Sequence, residues 1–109
     1  MKLKILESTG FNKLKEDRIR ELNKAINKLK HLLDNIDIFN EYIINNPVIH
    51  DSYKDFYVYK FTGHRCSIRL LYRYENDILE IHQMHFKKGD KDNSKYIKEF
   101  ENYVNNYRR

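Results

Sequence analysis

Two alternating segments separated by a short polar break constrain this sequence more than any other feature. Residues 67–74 run Ser-Ile-Arg-Leu-Leu-Tyr-Arg-Tyr, and residues 78–86 run Ile-Leu-Glu-Ile-His-Gln-Met-His-Phe. Side chains alternate across a strand. Ile68, Leu70, Tyr72 and Tyr74 therefore share one face, and Ser67, Arg69, Leu71 and Arg73 share the other. The first is a core face and the second is largely basic. With Asn76 and Asp77 as a two-residue loop, Tyr74 faces Leu79, Arg73 faces Glu80 and Tyr72 faces Ile81. Leu71 then faces His82, and Arg69 faces Met84. Apolar pairs fall on one face and an Arg–Glu pair on the other, so the register is self-consistent.

A sheet with one apolar face needs a helical layer against it, and the first half of the chain supplies one. Between residues 12 and 34, Ile19, Leu22, Ile26, Leu29 and Leu33 recur at three- and four-residue steps among charged and amide residues. This is the stripe of an amphipathic helix. A second helix is predicted over 37–45, with Ile38 and Tyr42 on its apolar face, ended by Pro47. Residues 2–6 suit a short edge strand, and 56–62 are rich in aromatic and β-branched residues and read as another strand. Asp92 or Ser94 caps a last helix whose stripe is Tyr96, Phe100, Tyr103 and Tyr107. The expected fold is α+β in the order β-α-α-β-β-β-α. It is an antiparallel sheet with an N-terminal helical hairpin on one face, a C-terminal helix, and the other face partly open. At 109 residues the chain is one domain.

Composition narrows the function. Nine Tyr and six Phe argue for a folded chain. Twenty-one Lys and Arg against sixteen Asp and Glu give a net charge of +5. That suits nucleic acid, the ribosome or an acidic protein partner, although a solvated Lys-rich surface accounts for it equally. The one cysteine, Cys66, excludes an internal disulfide framework and fits a reducing compartment. There is no apolar run long enough for a transmembrane helix, and residues 1–10 lack a signal-peptide core. A cytoplasmic protein without membrane contact is expected.

The candidate chemistry lies on the basic face of the hairpin. The expected register makes Arg69 and His82 diagonal neighbours there. An always-charged guanidinium and an imidazole that exchanges protons near neutrality suit phosphate chemistry. Spacing alone favours a polar solvated face. His85 has the parity of Leu79 and Ile81, so it turns toward the core unless a bulge or the end of the strand frees it. His50 and His64 sit in predicted loops, and His31 lies among lysines on the first helix. His82 and His85 are three apart and are expected on opposite faces. With no helical His pair at metal spacing and no second cysteine, neither a metal nor another cofactor is expected. Lys87, Lys88 and Lys91 form a basic run beside His85 that suits a phosphate backbone.

Residues 63–74, Gly-His-Arg-Cys-Ser-Ile-Arg-Leu-Leu-Tyr-Arg-Tyr, followed after a turn by 78–86, resemble the RelE/ParE toxin superfamily. Many members carry an Arg-Leu-apolar-Tyr central strand, matched by Arg69, Leu70, Leu71 and Tyr72. Many also have a last strand of alternating aliphatics ending in His or Arg near an aromatic, matched by His85 and Phe86. The resemblance covers residues 47–88 in motif and the rest in order of elements. It implies the toxin of a type II toxin–antitoxin system, a metal-independent endoribonuclease that cleaves mRNA in the ribosomal A site and is blocked by a cognate antitoxin. Arg69 would support the scissile phosphate, and His85 with Phe86 is similar to the His–aromatic pair of YoeB-like members. His50, His64 and His85 are similar to the several-histidine site of YafQ-like members, which favours a ribonuclease. Arg65, Arg73, Phe86, Lys87, Lys88 and Lys91 would contact RNA, and His82 joins the acid–base candidates. The chain departs from the YoeB-like pattern in lacking any Glu between Glu41 and Glu75. His50 is the candidate to replace that base. The alternatives are a ParE-type toxin that inhibits gyrase by binding, and a non-catalytic nucleic-acid- or protein-binding module of the same fold.

Overall fold

The computed structural model describes residues 1–35, 56–63, 67–87 and 93–107. Among them the fold is α+β, with a four-stranded mixed sheet in the order β1-β4-β3-β2. The strands are β1 (Lys2–Ile5), β2 (Tyr57–Thr62), β3 (Ser67–Glu75) and β4 (Ile78–Lys87). The α-helices among the described residues are α1 (Glu16–Asp34) and α2 (Asn93–Asn106). Two short 3₁₀ turns, Glu7–Thr9 and Phe11–Lys13, lie between β1 and α1. The helix predicted over 37–45 lies outside the described residues. Among the described residues no helix is long and apolar enough to cross a membrane.

The β3–β4 hairpin turns on Asn76 and Asp77, both left-handed with φ of 53° and 62°. This is the turn twist that a two-residue hairpin requires, and Asn and Asp tolerate it. Beyond the turn Tyr74 pairs with Leu79, Arg73 with Glu80 and Tyr72 with Ile81, as alternation about a two-residue loop predicts. The register then shifts, and Leu71 pairs with Gln83, Leu70 with Met84 and Arg69 with His85. His82 is the extra residue of a β-bulge. The expected pairs Leu71–His82 and Arg69–Met84 are therefore replaced. Regular alternation would turn Gln83 and His85 toward the core; the bulge instead packs Met84 and Phe86, both half-buried, against it.

α1 packs its stripe of Leu22, Ala25, Ile26, Leu29 and Leu33 on one face of the sheet, against Ile68, Leu70, Tyr72, Leu79 and Ile81. α2 packs on the opposite face, where Tyr96, Phe100 and Val104 meet Phe56, Val58 and Leu71. The expected open face is thus partly covered. Leu71, set between Arg69 and Arg73 and paired with Val58, makes an apolar strip that the α2 stripe buries.

The expected antiparallel sheet is also corrected, because β1 runs parallel to β4, with Lys2 opposite Ile78 and Ile5 opposite Ile81. Lys2 N–H donates to the Asp77 carbonyl at 2.9 Å and Leu6 N–H to the Ile81 carbonyl at 3.0 Å, so β1 starts beside the hairpin turn and runs with β4. Alternation of short segments sets faces but not the direction of a strand recruited to a free edge.

Candidate functional site on the α2 face

Arg69 and His85 face each other across β3 and β4. Arg69 is only 8% exposed. Its Nη1 donates to the neighbouring Ile68 carbonyl at 3.4 Å, a long contact, and its buried Nε has no hydrogen-bond partner. Among the described residues no carboxylate pairs with it. One α2 side chain reaches both groups. The Tyr96 ring stacks on the His85 imidazole, with centroids 5.7 Å apart and planes 27° apart, and the Arg69 Cζ lies 5.8 Å from the same ring. Phe100 braces Tyr96 edge-on at 5.5 Å. A permanently charged group, buried without a counter-charge among the described residues beside an imidazole, is suited to capturing an anion and exchanging a proton with it.

A second cluster surrounds the bulge. The His82 side chain is fully buried, yet both ring nitrogens are engaged: Nε2 lies 3.1 Å from Glu80 Oε1 and Nδ1 lies 2.8 Å from the Tyr103 hydroxyl. The proton positions follow from chemistry. A carboxylate only accepts, so Nε2–H donates to Glu80, and Nδ1 then accepts from Tyr103 O–H. Burial lowers the His82 pKa from its ordinary 6.5; Glu80 opposes the shift, and the charges of Arg73 and Lys4 add to it. The neutral imidazole this favours is the form the bonds require. Burial likewise raises the Tyr103 pKa, keeping the phenol protonated. Ser8 Oγ donates to the His82 carbonyl at 2.6 Å, and Gln83 Nε2 donates to the Ser8 carbonyl at 2.8 Å. Phe56 and Tyr107 stand edge-on to the imidazole at 5.0 and 5.1 Å. His82 therefore fastens α2 and the turn Glu7–Thr9 to the sheet, and it has no ring nitrogen left for a substrate.

The remaining candidates separate. The bulge brings His82 and His85 to the same face, where strict alternation placed them apart. Phe86 goes to the other face, under Arg18, whose Cζ lies 4.5 Å from its ring centroid, so Phe86 does not accompany His85. Arg73 lies 3.5 Å from both Glu75 and Glu80 and borders a cleft of about 190 Å³ with Glu75, Asn76, Ile78 and Glu80. Lys87 ends β4 opposite Ser67. His50, His64, Arg65, Lys88 and Lys91 lie outside the described residues. No group of three or more His, Cys, Asp or Glu suited to a metal occurs among the described residues.

Spacing alone marks Tyr96 and Tyr103 only as parts of a packing stripe. The stripe was legible, but the sheet face it would meet was not. The chain matches no protein-family model, no curated protein and no solved structure.

Proposed function

We propose that this chain is a RelE/ParE-like toxin that cleaves mRNA without a metal, using the α2 face of its sheet. The observation that carries the reading is Arg69, a buried guanidinium with an unpartnered Nε directly across the sheet from His85. Isolating a charge from solvent is unfavourable unless a counter-charge arrives, and a phosphodiester supplies one. The described elements run strand, helix, three strands, helix, which is compatible with the implied order of strand, two helices, three strands and helix, the second helix of which lies outside the described residues.

In the proposed chemistry the RNA brings its own nucleophile. The 2′-oxygen attacks phosphorus, the bond from phosphorus to the 5′-oxygen breaks, and a 2′,3′-cyclic phosphate and a 5′-hydroxyl result. Arg69 stabilises the charge on the phosphorane oxygens. His85 either takes the 2′-hydroxyl proton or gives one to the leaving 5′-oxygen, and His50 or His64 is the candidate for the complementary transfer. The net charge of +5 suits a polyanionic partner. A cytoplasmic location, action on ribosome-bound mRNA and neutralisation by a cognate antitoxin belong to the same proposal.

The test is induced expression in a bacterium of the wild type and of Arg69→Met, which keeps an aliphatic stem under Tyr96. The wild type should arrest translation and generate new mRNA ends, and the variant should do neither at equal soluble yield. Arrest with intact mRNA and a DNA-damage response would replace the reading with topoisomerase inhibition. Harmless expression of the wild type would leave a binding module.

A further inference from the structure

We propose that Tyr96 is the positioning residue of this site: its ring sets the orientation of both the Arg69 guanidinium and the His85 imidazole. This role toward RNA rests on the function proposed above, whereas the stacking itself does not.

Among the described residues little else holds Arg69. Its hydrogen bond to Ile68 spans 3.4 Å, close to the limit of a useful bond, and Nε is unpartnered. Backbone pairing puts Arg69 and His85 on one face but does not by itself fix how their side chains turn. Tyr96 restrains both at once, with Arg69 over its ring and His85 stacked on it. The ring is itself immobilised, at 4% exposure and braced by Phe100. A guanidinium resting on an aromatic ring keeps its in-plane N–H groups for an anion, and those groups give phosphate the edge-on fork that Arg uses best. Among the described residues the Tyr96 hydroxyl makes no hydrogen bond, so the ring rather than the phenol does the positioning.

The experiment uses the full chain labelled for NMR, titrated with inorganic phosphate and then with an uncleavable deoxy oligonucleotide. In the wild type the Arg69 Nε–H resonance should shift on phosphate addition, and the His85 ring protons should show the upfield shift of a stacked ring. Tyr96→Phe should preserve both. Tyr96→Leu should abolish the ring-current shift and weaken phosphate binding by roughly two- to thirty-fold, the span of a cation–π contact. Val104→Ala, which disturbs the same core about two helical turns beyond Tyr96, should bind phosphate within about twofold of the wild type. If Tyr96→Leu does not fold, Tyr96→Met keeps more of the core volume and must give the same losses. Wild-type phosphate binding by a folded Tyr96→Leu or Tyr96→Met would overturn the proposal, as would an unshifted His85 ring in the wild type. A wild type that shows the stack but binds no phosphate at Arg69 would overturn the positioning role together with its RNA function. Phosphate binding lost in Tyr96→Leu without any mRNA cleavage by the wild type would sink the ribonuclease reading alone.

Discussion

Replacing Tyr103 by Phe removes one oxygen and tests the bulge cluster. The His82 imidazole is fully buried, and its Nδ1 accepts the Tyr103 proton across 2.8 Å. In Tyr103→Phe that lone pair has lost its donor. An unsatisfied buried acceptor costs about 1–3 kcal/mol. For a chain of this length a kilocalorie moves Tm by about 4 °C, so the expected loss is roughly 4–12 °C. Tyr107 is the internal control. Its ring stands 5.1 Å from the same imidazole, but no hydrogen bond of its hydroxyl occurs among the described residues. Tyr107→Phe should stay within about 0.5 kcal/mol of the wild type. The assay is thermal and urea unfolding followed by circular dichroism at pH 7.5. A second arm replaces the imidazole as well. In the Tyr103→Phe background, His82→Phe should destabilise less than it does in the wild type, because no polar group is then orphaned on the α2 side, and coupling of this kind is expected between contacting residues. Equal losses for Tyr103→Phe and Tyr107→Phe, or strict additivity of the pair, would refute the hydrogen bond as a source of stability.

Three further outcomes follow from the same geometry. Because burial lowers the His82 pKa, the unfolded chain binds more protons at mildly acid pH; its stabilising contribution is complete above the ordinary value of 6.5 and is lost as pH falls below it. Tm measured from pH 8 to 5 should therefore fall more steeply for the wild type than for His82→Gln, and parallel curves would contradict the assignment. Arg69→Met should melt at or above the wild-type temperature, gaining about 0.5–2 kcal/mol, because it removes a buried charge without a described counter-charge; a large loss of Tm would mean that the guanidinium is structurally paired. Deleting His82 should leave Arg69 opposite His85, detected as a cross-strand nuclear Overhauser contact, because the bulge already places two residues against one; loss of that contact would show that the bulge has been misassigned.

The last of these predictions marks how far local pattern could reach. The stripe of α1 was readable because a helix face depends only on residue spacing, and Leu22, Ile26, Leu29 and Leu33 are indeed buried. The hairpin register near Asn76 and Asp77 was readable because a two-residue turn permits only one pairing beside it. Omitting His82 leaves Leu79, Glu80, Ile81, Gln83, Met84, His85 and Phe86 in perfect apolar–polar alternation. That phase slip is a sequence signal for the bulge, although alternation cannot say which residue is extra. Tertiary structure chose His82, because Ser8, Glu80 and Tyr103 come from separate parts of the chain to satisfy it.

The site divides in the same way. Residue type and resemblance single out Arg69 and His85 without any coordinates. Their facing each other depends on the bulge, and their shared platform depends on α2 packing on the sheet face opposite α1. Neither is encoded locally, since a helix stripe specifies that it must be buried but not against which surface. The parallel direction of β1 has the same origin: a strand's alternation is identical read in either direction, so it leaves open which way β1 runs beside β4. Residue spacing and residue type thus mark the buried faces of α1, α2 and the hairpin and the chemistry they can carry, because both act locally. Which faces meet is settled by contacts between residues far apart in the chain.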